Sequence, residues 1–426
     1  MKFGVKTRLK KIYRKYFFFP FIWQRRLDKQ VEVLKKKDEI VIAFIVINIP
    51  MWKYQPLYEQ LKKNKRFKLH IVISPSVKYS FEERCRDAQL MREYFKEREM
   101  PFIDWDIEHG GDPANIRQLI NPDILFYTQP GKKVFTFEHS YRLFKDKLLC
   151  YTFYGFVTID NRHFYDREFL NLAWKLYYPM EIQRKMARKY AERKDFNVVV
   201  SGYSEYDRFV TGPFHDIWKT NDANVKKVIW APHFTISKSL IEGFAPRSNF
   251  LWMADLMLEI AEMYKDRLQI AFKPHPRLMT ELYNHPDWGK SKTDDYYEKW
   301  NQLPNGQLET GDFVSLFYYS DAMIHDSDSF VIDYMYFDKP EMFITKDIKL
   351  QKQEADELSN IVYDNIYIGT SKEDIIKFIN EVILSGRDYK SACRKEIMNN
   401  YLLPPNGRFA SENMYYDLCE SLDVKK

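Results

Sequence analysis

The sequence predicts an α/β protein of two Rossmann-like domains whose parallel sheets face across a cleft. Three observations carry this reading. Apolar runs of strand length alternate with stretches of helical period along most of the chain, the signature of parallel strands joined by right-handed crossovers. The alternation begins near residue 39, pauses in the polar stretch 211–224 and restarts at 226, so it describes two sheets. Finally, the 426 residues are 45% hydrophobic and 17% aromatic, too many for one ordinary core and too apolar for disorder.

In the first half, 40–47 is a buried strand, 56–63 a helix, and 69–74 a strand. Residues 81–98 form a helix with Leu90, Met91, Tyr94 and Phe95 at its apolar positions. A short strand at 102–105, a helix at 113–120 and strands at 123–128 and 147–153 follow. Helical spacing over 166–177 and 181–193 predicts two helices, and 197–201 closes the half as a strand. The second half gives strands at 226–231, 268–273, 322–325 and 341–344. Helices at 248–264, 312–319 and 328–337 lie between them, and helices dominate from about 350 onward. The expected organisation is a basic segment 1–37, a first domain 38–212, a second domain 213–405 and a C-terminal helix 406–426 that could cross back to the first.

Charge divides the chain unevenly. Residues 1–37 carry thirteen Lys and Arg against Asp28 and Glu32, a net of +11, and the whole chain is +6, so the remainder is −5. Such a head attracts an anionic membrane surface, and Phe17-Phe18-Phe19-Pro20-Phe21-Ile22-Trp23 supplies groups for the acyl boundary. A basic helix packed on the body is the plainer alternative. Nucleic acid is not expected as a partner, because the acidic remainder offers no extended basic face. No run approaches the roughly 20 apolar residues of a membrane span, and no secretory signal is visible. Cys85, Cys150, Cys393 and Cys419 are scattered without metal spacing, as expected of reduced thiols in a cytoplasmic protein.

The chain has no GxGxxG after its first strand and no GxxxxGK[ST], so phosphates must be held by helix N-termini with Ser, Lys, Arg and His. Candidates sit where strands end. Lys273-Pro274-His275-Pro276-Arg277 closes the strand 268–273, and its two prolines preset the side chains between them. Lys273 and His275 can hold a pyrophosphate, and His275 can serve as a general acid. Pro232-His233 ends the strand 226–231 at an equivalent rim, followed by Thr235 and Ser237. His325-Asp326-Ser327-Asp328-Ser329 ends the strand 322–325, where Ser327, Ser329 and free N–H groups could grip a phosphate and Asp328 or Ser329 could cap the next helix. Thr310 opens the helix before that strand. In the first half, Tyr154, His139 and His163 are candidate bases for an acceptor hydroxyl. Asp104-Trp105-Asp106 and Asp326-Ser327-Asp328 each read as a DxD; that signal is weak, and no metal or cofactor is expected.

At these segments the chain resembles the CDP-glycerol glycerophosphotransferase family of teichoic-acid and capsule synthesis. The likeness spans roughly residues 120–345. Trp230-Ala231-Pro232-His233 matches a strand ending in a Pro-centred turn, and Lys273-Pro274-His275-Pro276 a Lys-x-His-Pro turn. Asp326-Ser327-Asp328-Ser329, then Asp333-Tyr334 and Lys339-Pro340, match an Asp-x-Ser-Ser element with its acidic helix and Lys-Pro. Asn121-Pro122-Asp123 and Ser201-Gly202-Tyr203-Ser204-Glu205-Tyr206-Asp207 look like first-domain landmarks. The resemblance implies a GT-B-like fold and metal-independent transfer of glycerol phosphate from CDP-glycerol, or a similar cytidine-diphosphate donor, to a lipid-linked polymer. It also implies that His275 and Ser329 contact the donor's diphosphate, and that the enzyme works as a peripheral protein on the inner face of the cell membrane. Two departures stand out: Phe153-Tyr154-Gly155 replaces the family's Trp-His-Gly segment, and Asp328 replaces the first Ser of the Ser-Ser pair.

The leading reading takes His275, His233 and Tyr154 as catalytic. It takes Lys273, Arg277, Ser237, Thr310, Asp326, Ser327, Asp328 and Ser329 as donor-binding. A nucleotide-sugar-dependent glycosyltransferase of the same architecture, and a non-catalytic binding protein in surface-polymer assembly, are the alternatives.

Overall fold

Residues Ile40–Val46 are almost wholly apolar and buried, as a strand covered by helices on both faces must be. This strand, β1, is the centre of the first sheet in the computed structural model, which describes residues 9, 11–236 and 247–425. Around it lie β2 (Phe67–Ile73), β3 (Phe102–Ile103), β4 (Ile124–Tyr127), β5 (Leu148–Thr152), β6 (Lys175–Tyr178) and β7 (Val198–Val200). Their order is β3-β2-β1-β4-β5-β6-β7, parallel throughout. The second sheet contains β8 (Lys226–Ala231), β9 (Leu268–Phe272), β10 (Gly306–Leu308), β11 (Ala322–His325), β12 (Glu341–Ile344) and β13 (Tyr367–Gly369). It too is parallel, in the order β10-β9-β8-β11-β12-β13. Both sheets therefore follow the doubly wound 3-2-1-4-5-6 rule, the first with one strand added, and the GT-B-like class of two Rossmann-like units holds.

Two compact units result. One comprises Met1–Gly155, Asn161–Asp207 and Leu402–Lys426; the other comprises Phe156–Asp160 and Arg208–Tyr401. The C-terminal helix Ala410–Ser421 belongs to the first. Asp207 caps it, accepting from the N–H groups of Ala410 (2.8 Å) and Ser411 (3.0 Å). Gly202 lets the chain pass: its φ is +97°, and a Cβ there would lie 2.5 Å from Pro404 Cβ.

The N-terminal segment is both packed and exposed. A π-helical turn, Arg14–Trp23, runs into the helix Gln24–Lys35 and buries Phe19, Trp23, Leu27 and Leu34. The Trp23 indole N–H donates to Leu172 O (3.1 Å). Arg66 closes the other end, donating to the carbonyls of Leu34 (3.1 Å), Lys35 (2.5 Å) and Lys37 (3.0 Å), orphan acceptors at a helix C-terminus.

In the second unit, the helix Phe250–Met263 buries Phe250, Met253, Ala254, Met257, Ile260 and Ala261, a stripe at i, i+3 and i+4 spacing. It covers a core where Trp230 stacks on Phe272 with centroids 4.8 Å apart and both pack on Trp300. The opposite sheet face packs Ile229, Ala231, Ala271 and Met323 under Leu316, Phe317 and Tyr334. The polar stretch 211–224 is pinned to this sheet: Lys219 N–H donates to Gln307 Oε1 (3.1 Å) and Thr220 N–H to Gln269 Oε1 (2.7 Å).

Several elements differ from expectation. The stretch 166–177 is not one helix: the helix Glu168–Leu172 ends, and Lys175–Tyr178 becomes β6. Phe169, Leu170, Leu172 and Trp174 mimic helical spacing, but all are buried because the whole stretch is internal. β10 and β13 are three residues each, too short for a period to register, and the helices Leu278–Tyr283 and Gly289–Gln302 between β9 and β10 were not expected.

Candidate active site

In the second sheet the strand order reverses between β8 and β11, and ligands of open α/β sheets bind outside the strand ends at that point. β8 delivers Pro232-His233, β9 delivers Lys273–Arg277 and β11 delivers Asp326–Ser329. The turns are stitched together. His275 N–H donates to Pro232 O (3.0 Å), and Lys273 N–H to Trp230 O (2.8 Å). Asp326 ties the remaining pair: its carboxylate accepts from the backbone N–H of His233 (2.5 Å), the backbone N–H of Asn249 and the Asn249 amide (3.3 Å).

The imidazoles of His233 and His275 come together with centroids 5.2 Å apart. Phe234 packs on both at 4.4 Å, and the Arg277 guanidinium lies over Phe234 at 4.2 Å. Each His Nδ1 is an acceptor, from Arg277 N–H (3.1 Å) for His275 and from Thr235 N–H (3.4 Å) and its hydroxyl (3.0 Å) for His233. That leaves the proton of each neutral ring on Nε2. Burial, reinforced by His233, Arg277 and Lys273, pushes His275 down to about 3. Burial also lowers His233 to about 4, against the pull of Asp328 and with the push of Arg247 and Arg277. Both rings are therefore neutral donors in the free site.

Ser327 and Ser329 face each other, hydroxyl to hydroxyl, at 3.3 Å. Neither Asp328 nor Ser329 caps the short helix Phe330–Asp333 with its side chain, contrary to the capping expectation. The Asp328 carboxylate is held by Arg247, by Gln351 (2.6 Å) and by the Tyr363 hydroxyl (3.2 Å), and Arg247 also reaches Glu354. The charge that replaces serine here is thus neutralised by an arginine. Lys273 is buried, is pushed down to about 8 by that burial against the pull of Glu309 and Asp312, and donates to Gly311 O (2.6 Å). It fixes the 309–312 loop, on which Thr310 is exposed.

Asp326 and Asp328 are therefore both engaged by protein donors from different directions, which removes the DxD reading. Burial raises the Asp326 carboxyl to about 6, with the N–H groups of Asn249 and His233 opposing. Asp104 likewise pairs with Arg92 (2.9 Å) and Asp106 with His109 (2.7 Å). Among the described residues no group of three or more His, Cys, Asp or Glu is arranged to hold a metal ion. Ser237 lies outside the described residues.

In the first unit, Tyr154 is exposed in the loop after β5. His139 is not available as a base. It is fully buried, its Nδ1 is bonded to Ser74 Oγ (2.9 Å) and its Nε2 to Ala114 O (3.0 Å), and burial lowers it to about 4. His163 is exposed after the turn at Asn161. A pair missed from the sequence lies at the C-terminal rim of this sheet: Lys53, after β1, meets Glu205, after β7, at 3.3 Å with both side chains buried. The signal was Glu205 within the Ser201–Asp207 landmark. Arg247 and Asn249 were missed too, because their partners lie about eighty residues away in sequence.

Fold and site together define a doubly wound two-unit α/β protein whose second unit carries paired histidines and paired serines on the turns at its switch point. The model of the family CDP-Glycerol:Poly(glycerophosphate) glycerophosphotransferase matches residues 166–413, more than half of the chain. The protein belongs to this family, and it is a CDP-glycerol glycerophosphotransferase-like transferase. No curated protein matches the chain. Among solved structures it is similar to a variant of the wall teichoic acid polymerase TagF, at 13% identity and TM-score 0.59 over 98% of this chain and 99% of that one. TagF soaked with CDPG gives 12% identity and TM-score 0.57 over 98% of each chain. The UDP-GlcNAc 2-epimerase of Neisseria meningitidis bound to UDP-GlcNAc gives 14% and 0.55, over 90% of this chain and 100% of that one. At such identities these likenesses speak to the fold.

Proposed function

We propose that the protein transfers glycerol phosphate from CDP-glycerol to a membrane-linked cell-surface polymer of the teichoic acid or capsule kind, and that the second unit's pocket holds the donor's diphosphate. The observation that carries this is the pairing of the His233 and His275 rings at the switch point, tied through Asp326 to the turn that carries Ser327 and Ser329. TagF, the similar protein solved with CDPG, supports the choice of donor and polymer.

In this mechanism the acceptor hydroxyl attacks the glycerol-bearing phosphorus. A new P–O bond forms, the bond to the CMP phosphate oxygen breaks, and charge develops on the departing phosphate. His275 and His233 donate Nε2–H to that charge, and Ser327 and Ser329 donate hydroxyls. A bound diphosphate also draws the His275 proton affinity upward, which suits it to protonate the leaving CMP. Arg277 adds positive charge, while Lys273 and Asp326 hold the turns in place. The acceptor's proton goes to a general base, for which Tyr154, acting as its phenolate, is the candidate.

The N-terminal helix supports a peripheral place on the inner membrane face. Phe17 and Phe21 are 60% and 56% exposed beside Lys11, Lys15, Arg25 and Arg26. Among the described residues no helix is long and apolar enough to cross a membrane.

The test is a donor panel. CDP-glycerol, CDP-ribitol, UDP-sugars and CMP-sugars are incubated with the protein and a lipid-linked acceptor, and nucleotide release is followed. CMP from CDP-glycerol is expected; UDP from a UDP-sugar with no CMP would make the protein a glycosyltransferase.

A further inference from the structure

We propose that a cavity under the N-terminal helix of the first unit seats the phosphate of an anionic lipid headgroup. The proposal rests on the membrane reading above and adds a defined site to it.

The cavity measures about 260 Å³, just under the roughly 300 Å³ at which drug-sized sites begin, so it suits a small polar group. Lys11, Lys15 and Tyr16 form its helical wall, and Arg162, Tyr190 and Glu192 line the body side. Glu192 is committed to Arg14 (2.9 Å), and Arg162 pairs with Asp166 (2.8 Å). Among the described residues no carboxylate forms a salt bridge with Lys11 or Lys15. Counting Arg14 and Asp166 beside the lining, four cations stand against two carboxylates, and the surplus of two positive charges borders the solvent-open mouth of the cavity.

What lies beside the cavity selects a lipid over a soluble phosphate. The same helix exposes Tyr13, Phe17, Phe21 and Ile22, each more than half accessible. This face cannot turn inward, because the helix is anchored by Phe19, by Trp23 bonded to Leu172 O, and by Arg193 donating to Gln24 Oε1 (2.7 Å). A cationic seat bordered by fixed exposed aromatics matches the boundary between headgroups and acyl chains, where the rings enter the apolar layer and the lysines stay at phosphate depth.

Flotation of the full chain on phosphatidylcholine vesicles, with or without an equal share of phosphatidylglycerol, tests this. Lys11→Gln with Arg162→Gln empties the seat of two charges and leaves the aromatics untouched. Lys62→Gln with Lys63→Gln removes the same charge elsewhere on the first unit. Wild type should float with the phosphatidylglycerol vesicles. The cavity pair should bind them on the order of tenfold more weakly, and the control pair by less than about threefold. CDP-glycerol turnover on a soluble acceptor should be the same in all three. Should the cavity pair melt early, Lys11→Gln with Lys15→Gln reads the same wall from the helix surface. Equal losses in the cavity and control pairs would overturn the seat and leave the membrane reading standing. Wild type that ignores phosphatidylglycerol vesicles would overturn the membrane reading itself. A melting shift from glycerol 3-phosphate, present in wild type and absent in the cavity pair, would overturn the lipid assignment in favour of a free phosphate ester.

Discussion

His275 owes its proposed role to its partly buried place at a strand end, where the ring packs on His233 and Phe234. A ring lowered from 6.5 to about 3 donates from Nε2 without carrying a charge that a neighbouring cation would repel. His275→Ala should lower transfer on the order of 10² or more without changing the melting temperature substantially; steady-state rates with CDP-glycerol measure it. Linkage gives the pH consequence. Between about pH 6.5 and 3 the unfolded imidazole binds a proton that the folded one refuses, so stability attributable to His275 is lost as pH falls through this window. Asp326, raised to about 6, has the opposite sign there, so the informative quantity is the difference between wild type and His275→Gln. Wild type should lose melting temperature relative to the variant as pH falls, whereas a constant offset would show that the ring does not titrate as described. The two turns were legible in the sequence because prolines and small polar residues mark strand ends. The assignments within them were less so. Asp326 and Lys273 read as ligand contacts but bond the protein's own backbone, because Asn249 and Gly311, their partners, come from other segments.

At the scale of elements, the strands with strong apolar runs were readable, and 226–231, 322–325 and 341–344 coincide with β8, β11 and β12. β6 was hidden by the helix-like spacing of the aromatics before it, and β10 and β13 by brevity; their places are fixed by neighbouring strands rather than by their own pattern. Asp326 and Asp207 each join elements distant in sequence. Asp326→Ala would leave the N–H groups of His233 and Asn249 without their acceptor, costing about 2–3 kcal/mol and loosening the pocket; chemical denaturation together with donor affinity should both register the change. Asp207→Ala should cost about 1 kcal/mol and speed amide exchange in the helix Ala410–Ser421, leaving exchange in β8–β13 unchanged.

For the whole molecule, the two parallel sheets followed from the interrupted alternation of strand and helix, but the path of the chain did not. Phe156–Asp160 leave the first unit to join the second, where Asp160 N–H donates to Glu354 O (3.0 Å) and Asp356 N–H to Thr158 O (2.9 Å). Such main-chain pairing leaves no mark on composition or periodicity. The functional class was readable because the groups proposed to bind phosphate are clustered in short turns; the base was not, since His139 proved to be a core residue and Tyr154 has only its position after β5 to recommend it. The account stands on the anion pocket proposed for the second unit. Calorimetric titration of CDP-glycerol into wild type and into a His233→Ala, His275→Ala double variant tests it most directly. Binding at least on the order of tenfold weaker in a folded variant is predicted; equal affinity in the two proteins would contradict the account.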